Sequence, residues 1–104
     1  MPTVLPPALD YTITEVTVGA TTTQLVASNA FRRFLMIQNK SDEAVYIKIG
    51  EAAVQDEGIQ LSPVASGNVQ GQIEFSSGLE NLTREAINGI CTSGSKTVVV
   101  IEGK

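Results

Sequence analysis

Few residues in this chain could do chemistry. It has no His and one Cys, Cys91. A thiol nucleophile needs a base or a cation to hold the thiolate, and a structural zinc site needs four nitrogen or sulfur ligands. Neither set can be assembled, and a single cysteine excludes an intrachain disulfide. Cys91 lies in Ile87-Asn88-Gly89-Ile90-Cys91-Thr92, which reads as a strand, where a free thiol acts as a small hydrophobe. The acidic pairs Asp42-Glu43 and Asp56-Glu57 match no calcium-loop pattern, and neighbours in a strand point apart. They read as solvated loop charge, with a calcium contact between subunits as the alternative. No pattern places a second acid beside Glu74, as a glycosidase pair would need. Neither glycine-rich phosphate motif occurs. Arg32-Arg33 is the only adjacent basic pair, read as a solvated boundary before a strand or as a weaker polar contact for a partner. A net charge of −4 argues against nucleic acid. The expectation is a protein that is not an enzyme and needs no cofactor and no metal.

The elements that would carry these residues are strands. Residues 33 to 50 read as a β-hairpin. Val45, Ile47 and Ile49 alternate with Ala44, Tyr46 and Lys48, so one set faces a core. Leu35 and Ile37 share that face, and Phe34 and Met36 lie on the other, which must be partly covered too. Lys40-Ser41-Asp42-Glu43 supplies turn chemistry.

The other strands follow from composition and alternation. Tyr11 to Val18 is rich in β-branched residues but shifts parity, with Tyr11 and Ile13 on one face and Val16 and Val18 on the other. A bulge near Thr14-Glu15, or apolar contact on both faces, would account for that. Further strands are expected at Thr21 to Ala27, Ile59 to Leu61, Gln70 to Phe75, Ile87 to Thr92 and Lys96 to Glu102. Residues 51 to 58 form a helical turn or a loop, and Leu79 to Ala86 carries a short helical spacing. Val98-Val99-Val100-Ile101 is apolar on both faces, more than a lone thin sandwich needs, so a neighbouring subunit is expected over one of them.

About eight short strands without strand–helix–strand alternation predict an all-β antiparallel sandwich, jelly-roll-like, over residues 11 to 104. Its expected core is Leu35, Ile37, Val45, Ile47, Ile49, Ile73, Phe75 and Val99. Residues 1 to 10 hold three of the four prolines, Pro2, Pro6 and Pro7. Proline fixes φ and removes a donor, so they form an extended arm that does not pair as an inner strand. Val4, Leu5 and Leu9 would let that arm bury surface on a neighbour. No leader or membrane-spanning run is evident, so synthesis in a host cytoplasm and no membrane partner are expected.

Three stretches in order carry a resemblance. They are Arg33-Phe34-Leu35-Met36-Ile37-Gln38-Asn39 followed by Val45-Tyr46-Ile47-Lys48-Ile49-Gly50, then Gly58-Ile59-Gln60-Leu61-Ser62-Pro63, and finally Ile90 to Gly103 ending in Val-Val-Val-Ile-Glu-Gly. Together they resemble small β-sandwich virion proteins of tailed bacteriophages, over roughly residues 16 to 103. The resemblance implies a capsid decoration (cement) protein at the capsid surface of the virion. It would stabilise the head by contacts with the major capsid protein and assemble as a homo-oligomer, with a trimer favoured. A head–tail connector or tail component is the alternative, and a carbohydrate-binding module on the same sandwich is a further one. Candidate contact residues are Val4, Leu5, Pro6, Pro7 and Leu9, with Arg32 and Arg33 as the weaker pair. Within the pattern Gln38 and Asn39 end a strand where their amides can bond the loop backbone.

Overall fold

The computed structural model describes residues 10–63 and 71–104. Eight strands form: β1 (Tyr11–Val18), β2 (Thr23–Val26), β3 (Phe34–Asn39), β4 (Val45–Ile49), β5 (Ile59–Leu61), β6 (Gln72–Ser76), β7 (Ile87–Ile90) and β8 (Lys96–Gly103). They make two four-stranded sheets, β1-β8-β3-β6 and β2-β7-β4-β5. The arm residues 1–9, the loop at 64–68 and Gln70 lie outside the described residues.

The topology follows from a nesting of pairs. β1 pairs with β8, β2 with β7, β3 with β6 and β4 with β5, all antiparallel. The strip of pairs is then rolled, so that β3 also lies against β8 and β4 against β7. Only the β4–β5 connection stays within one sheet; every other link crosses the sandwich. The expected jelly roll is therefore what forms.

The hairpin expected at 33 to 50 does not form. β3 and β4 lie in different sheets, and the residues between them arch over the end of the sandwich. Alternation identifies strands but not their partners, and a polar turn signal suits an arch as well as a hairpin. Asn39 holds the arch. Its side chain is fully buried. The amide nitrogen donates to the carbonyls of Glu43 (2.7 Å), Leu61 (3.0 Å) and Ser62 (3.2 Å), and its oxygen accepts from the Ser41 amide (2.9 Å) and Oγ (2.7 Å). This is the loop-bonding amide expected of Asn39; Gln38 instead reaches across the ladder to Gln72.

The core joins Val18, Leu25, Leu35, Ile37, Val45, Ile47, Leu61, Phe75, Ile87, Cys91, Val98 and Val100. Of the eight expected core residues, Leu35, Ile37, Val45, Ile47 and Phe75 are buried. Ile49, at the end of β4, is 37% exposed. Ile73 and Val99 are only half-buried, because β6 is an edge strand and Val98 and Val100 are the inward members of the closing run. A run of four apolar residues does not reveal its own parity.

Other local expectations are corrected in the same way. β1 pairs with β8 without a bulge, so the parity shift means apolar residues on both faces. The register irregularity lies in β2, between Gln24 and Val26. No helix forms over 79 to 86 beyond a 3₁₀ turn at Ser77–Leu79, and residues 51 to 58 are a loop. Gly58 closes that loop with φ of 87°, and a side chain there would run into the Ile47 carbonyl, so glycine is required on both counts. Cys91 is buried just past β7, and burial pushes its thiol pKa up.

Candidate interaction surface

The register of the first sheet sets which side chains share its outer face. Val98, Val100, Leu35, Ile37 and Phe75 point inward and are buried. Their alternates point outward, and directly opposed residues in antiparallel strands share a face. Ile13, Ile101, Met36 and Glu74 therefore form one cross-strand row, and Tyr11, Gly103, Phe34 and Ser76 the next. On the far side of the first row lie Glu15, Val99, Gln38 and Gln72. Six apolar side chains thus sit together where an antiparallel sheet facing water ordinarily carries polar ones. Ile13 is 69% exposed and Tyr11 54%, while Phe34, Met36, Val99 and Ile101 are half-buried. Tyr11 and Phe34 meet edge to face, centroids 5.7 Å apart at 82°.

The second sheet provides the comparison. Its outward row is Gln24, Asn88 and Lys48, and in the next Tyr46 lies between Gln60 and the buried Ile90. That face carries two apolar side chains against six on the first sheet, so the larger cluster belongs to the first sheet and does not follow from the chain's average composition. A contiguous apolar patch on a small domain marks a contact surface.

The rim of this face holds the root of the arm. Asp10 and Lys104 exchange backbone hydrogen bonds (3.3 and 3.2 Å), which carries the β1–β8 ladder one residue past Tyr11. The Arg33 amide donates to the Gly103 carbonyl (2.8 Å), and its guanidinium donates to the Lys104 carbonyl (2.8 Å). Arg33 is exposed, so the structure brings this candidate to the arm's root. Phe31, at 79%, is exposed in the same β2–β3 connection. Candidates Val4, Leu5, Pro6, Pro7 and Leu9 lie outside the described residues.

Arg32 corrects its reading as a solvated boundary and is not available as a contact. Its side chain is 0% exposed. Nε donates to Glu102 Oε2 (2.8 Å), Nη1 to the carbonyls of Thr83 (3.0 Å) and Glu85 (2.9 Å), and Nη2 to that of Ala27 (2.6 Å). Asn29 also donates to Glu102 Oε2 (3.3 Å). This cluster ties the ends of both sheets to the segment before β7. Adjacent arginines look alike in sequence; which one turns inward is set by the β2–β3 crossing.

The acidic loop residues are fastened too. Lys96 Nζ donates to Asp42 Oδ1 (2.7 Å), and the Ser93 amide (3.0 Å) and hydroxyl donate to the Glu43 carboxylate. The Lys96 hydrogen bond, then its charge, lowers the Asp42 pKa below its ordinary 3.8. Bonds from Ser93 lower that of Glu43 below 4.5. A depressed carboxylate pKa means stabilisation present above the ordinary value and lost as pH falls through the depressed one. The wild type should therefore lose more stability between pH 5 and pH 2 than the Asp42→Asn, Glu43→Gln double variant. Urea unfolding at a series of pH values reads this; superimposable pH profiles would rule the tie out as a contributor.

Among the described residues no three His, Cys, Asp or Glu side chains are grouped to hold a metal ion. A groove of about 250 Å³ is lined by Ile47, Lys48, Ile49, Glu51, Gly58 and Ile59, and Lys48 already pairs with Glu57 (3.2 Å). No described helix is long and apolar enough to cross a membrane. Comparison with known proteins finds no matching family model, no matching curated protein and no matching solved structure. The apolar face was partly legible in the sequence, in Phe34 and Met36 and in the two-faced run Val98 to Ile101. The part of Tyr11 and Ile13 in it was not, because it depends on which strand lies beside β8.

Proposed function

We propose that this chain is a virion structural protein of a tailed phage, a capsid decoration protein that binds the head surface as a trimer and stabilises the shell. The observation that supports it is the cluster of six apolar side chains on the outer face of the β1-β8-β3-β6 sheet, against two, Tyr46 and Ile90, on that of the other. The resemblance to phage virion proteins supplies the setting, and the jelly roll is compatible with it. The mechanism is mass action. A protein that binds only the assembled shell shifts the equilibrium against disruption. On this reading the protein acts by contacts and catalyses nothing. A carbohydrate-binding module would favour aromatic rings laid flat as a platform, whereas Tyr11 and Phe34 meet edge to face.

The test mixes purified protein with bare expanded heads, sediments them, and measures bound copies and the temperature of shell disruption. Binding at hundreds of copies per head with a raised disruption temperature is the expected result. Binding confined to an isolated portal or tail complex would transfer the protein to the head–tail junction, and binding to a glycan array alone would favour the carbohydrate module.

A further inference from the structure

The geometry points to a specific occupant for the apolar sheet face: we propose that it receives residues 1–9 of a second copy of this chain, so that each copy gives an arm and takes one. The inference deepens the self-association in the reading above and does not depend on heads.

Four observations carry it. The face is apolar along β1, β8 and β3, and no described element packs on it. The arm complements it in kind: Val4, Leu5, Pro6, Pro7, Ala8 and Leu9 form an apolar run, and no side chain from residue 1 to 9 is charged. The length suffices, since nine residues in a polyproline-like conformation reach about 28 Å. Three strands are spanned in about 10 Å. The attachment point favours a neighbour's face. Asp10 and Tyr11 are both held in the ladder with β8 at the rim. Only Ala8 and Leu9 separate that ladder from Pro6-Pro7, whose fixed φ favours extension. A segment extended from that point reaches a neighbour, which is the arrangement proposed.

The mode of contact follows from the same residues. Pro6 and Pro7 have no amide hydrogen, so the arm does not extend the ladder at the β1 edge along that stretch. It is held through side chains, with Leu5 and Leu9 against the row Ile13, Ile101 and Met36. Fixed φ angles also reduce the freedom the arm loses on docking. Since donor and acceptor surfaces differ, the arms are exchanged either reciprocally in a two-fold dimer or head to tail around a closed ring.

The experiment uses full-length chains. One variant carries Leu5→Cys and another Met36→Cys; the buried Cys91 is common to both. The two are mixed, equilibrated and oxidised, and the linked peptides are identified by mass spectrometry. The expected product joins position 5 of one chain to position 36 of the other. Sedimentation equilibrium should show the wild type as a closed oligomer and the Ile13→Lys, Ile101→Lys variant as a monomer with an unchanged β circular dichroism spectrum. A monomeric wild type overturns the proposal. So does a chain carrying both cysteine substitutions that links only within itself, which would place the arm on its own face. Persistent assembly of the double-lysine variant would put the interface elsewhere. A cross-linked oligomer that ignores heads leaves this inference intact and removes only the decoration reading.

Discussion

Replacing Arg32 with Met while Glu102 is retained lowers the free energy of unfolding by about 3–5 kcal/mol. The size comes from what is left behind more than from what is lost. The guanidinium makes four hydrogen bonds, to Glu102 and to the carbonyls of Thr83, Glu85 and Ala27. Its removal strands a carboxylate that is only 15% exposed, together with three carbonyls in a region Arg32 had filled. Replacing both partners should cost less than the sum of the two single changes, because the unpaired charge is then absent. Lysine at position 32 should also destabilise, since one ammonium group cannot reproduce a planar fork reaching four acceptors. Chemical denaturation of the four variants, the two single replacements, the double and Arg32→Lys, measures all of this. A loss below about 1 kcal/mol for Arg32→Met would be typical of an exposed surface pair and would show that the guanidinium is not enclosed as described.

Replacing Ile47 with Ala should cost about 2–5 kcal/mol, out of a total stability of about 5–15 kcal/mol for a domain of this size. Ile47 is fully buried in β4, with Gly89 of β7 on one side and Ile59 of β5 on the other. The space above Gly89 is occupied by Leu25 of β2, whose Cδ1 lies where a Cβ would come within 3.1 Å. Leu25 is thus already committed next to the vacated volume, and the Ile47 carbonyl lies close against Gly58. Neither neighbour is free to fill the cavity, which places the loss toward the upper half of the range. Ile49→Ala should cost much less, since Ile49 is more than a third exposed at the end of the same strand. Urea unfolding of the two variants separates these expectations, and equal losses would mean that β4 is not buried as described.

Composition and alternation together were enough to place all eight strands and the sandwich, because β-branched content and the pleat's alternation are both local properties. Val45, Ile47, Leu35 and Ile37 announced their burial this way. The same logic failed at Val98 to Ile101, where every residue is apolar and parity carries no information, and at Ile49, where the strand outruns the core. It failed for the 33 to 50 pair as well. A crossing between sheets and a return within one sheet both need a polar turn, and the crossing that forms is held by Asn39, whose buried amide donates to the carbonyls of residues 43, 61 and 62.

The sequence by itself determined the strands, the proline-rich apolar composition of residues 1 to 10, the absence of histidine, and apolar runs on both faces of β1, β3 and β8. Each of these depends only on residue identity and near-neighbour spacing. The tertiary structure decided which strands became neighbours, and with that three things no local pattern contains. It turned Arg32 inward and left Arg33 at the rim. It brought Tyr11 and Ile13 of β1 beside Phe34, Met36, Val99 and Ile101, residues distant in the chain and adjacent only because β8 lies between β1 and β3. It gathered six of the outward apolar side chains on one sheet and left the other with Tyr46 and Ile90 among polar neighbours. A surface built across three strands exists only once the roll has closed, since its members come from opposite ends of the chain.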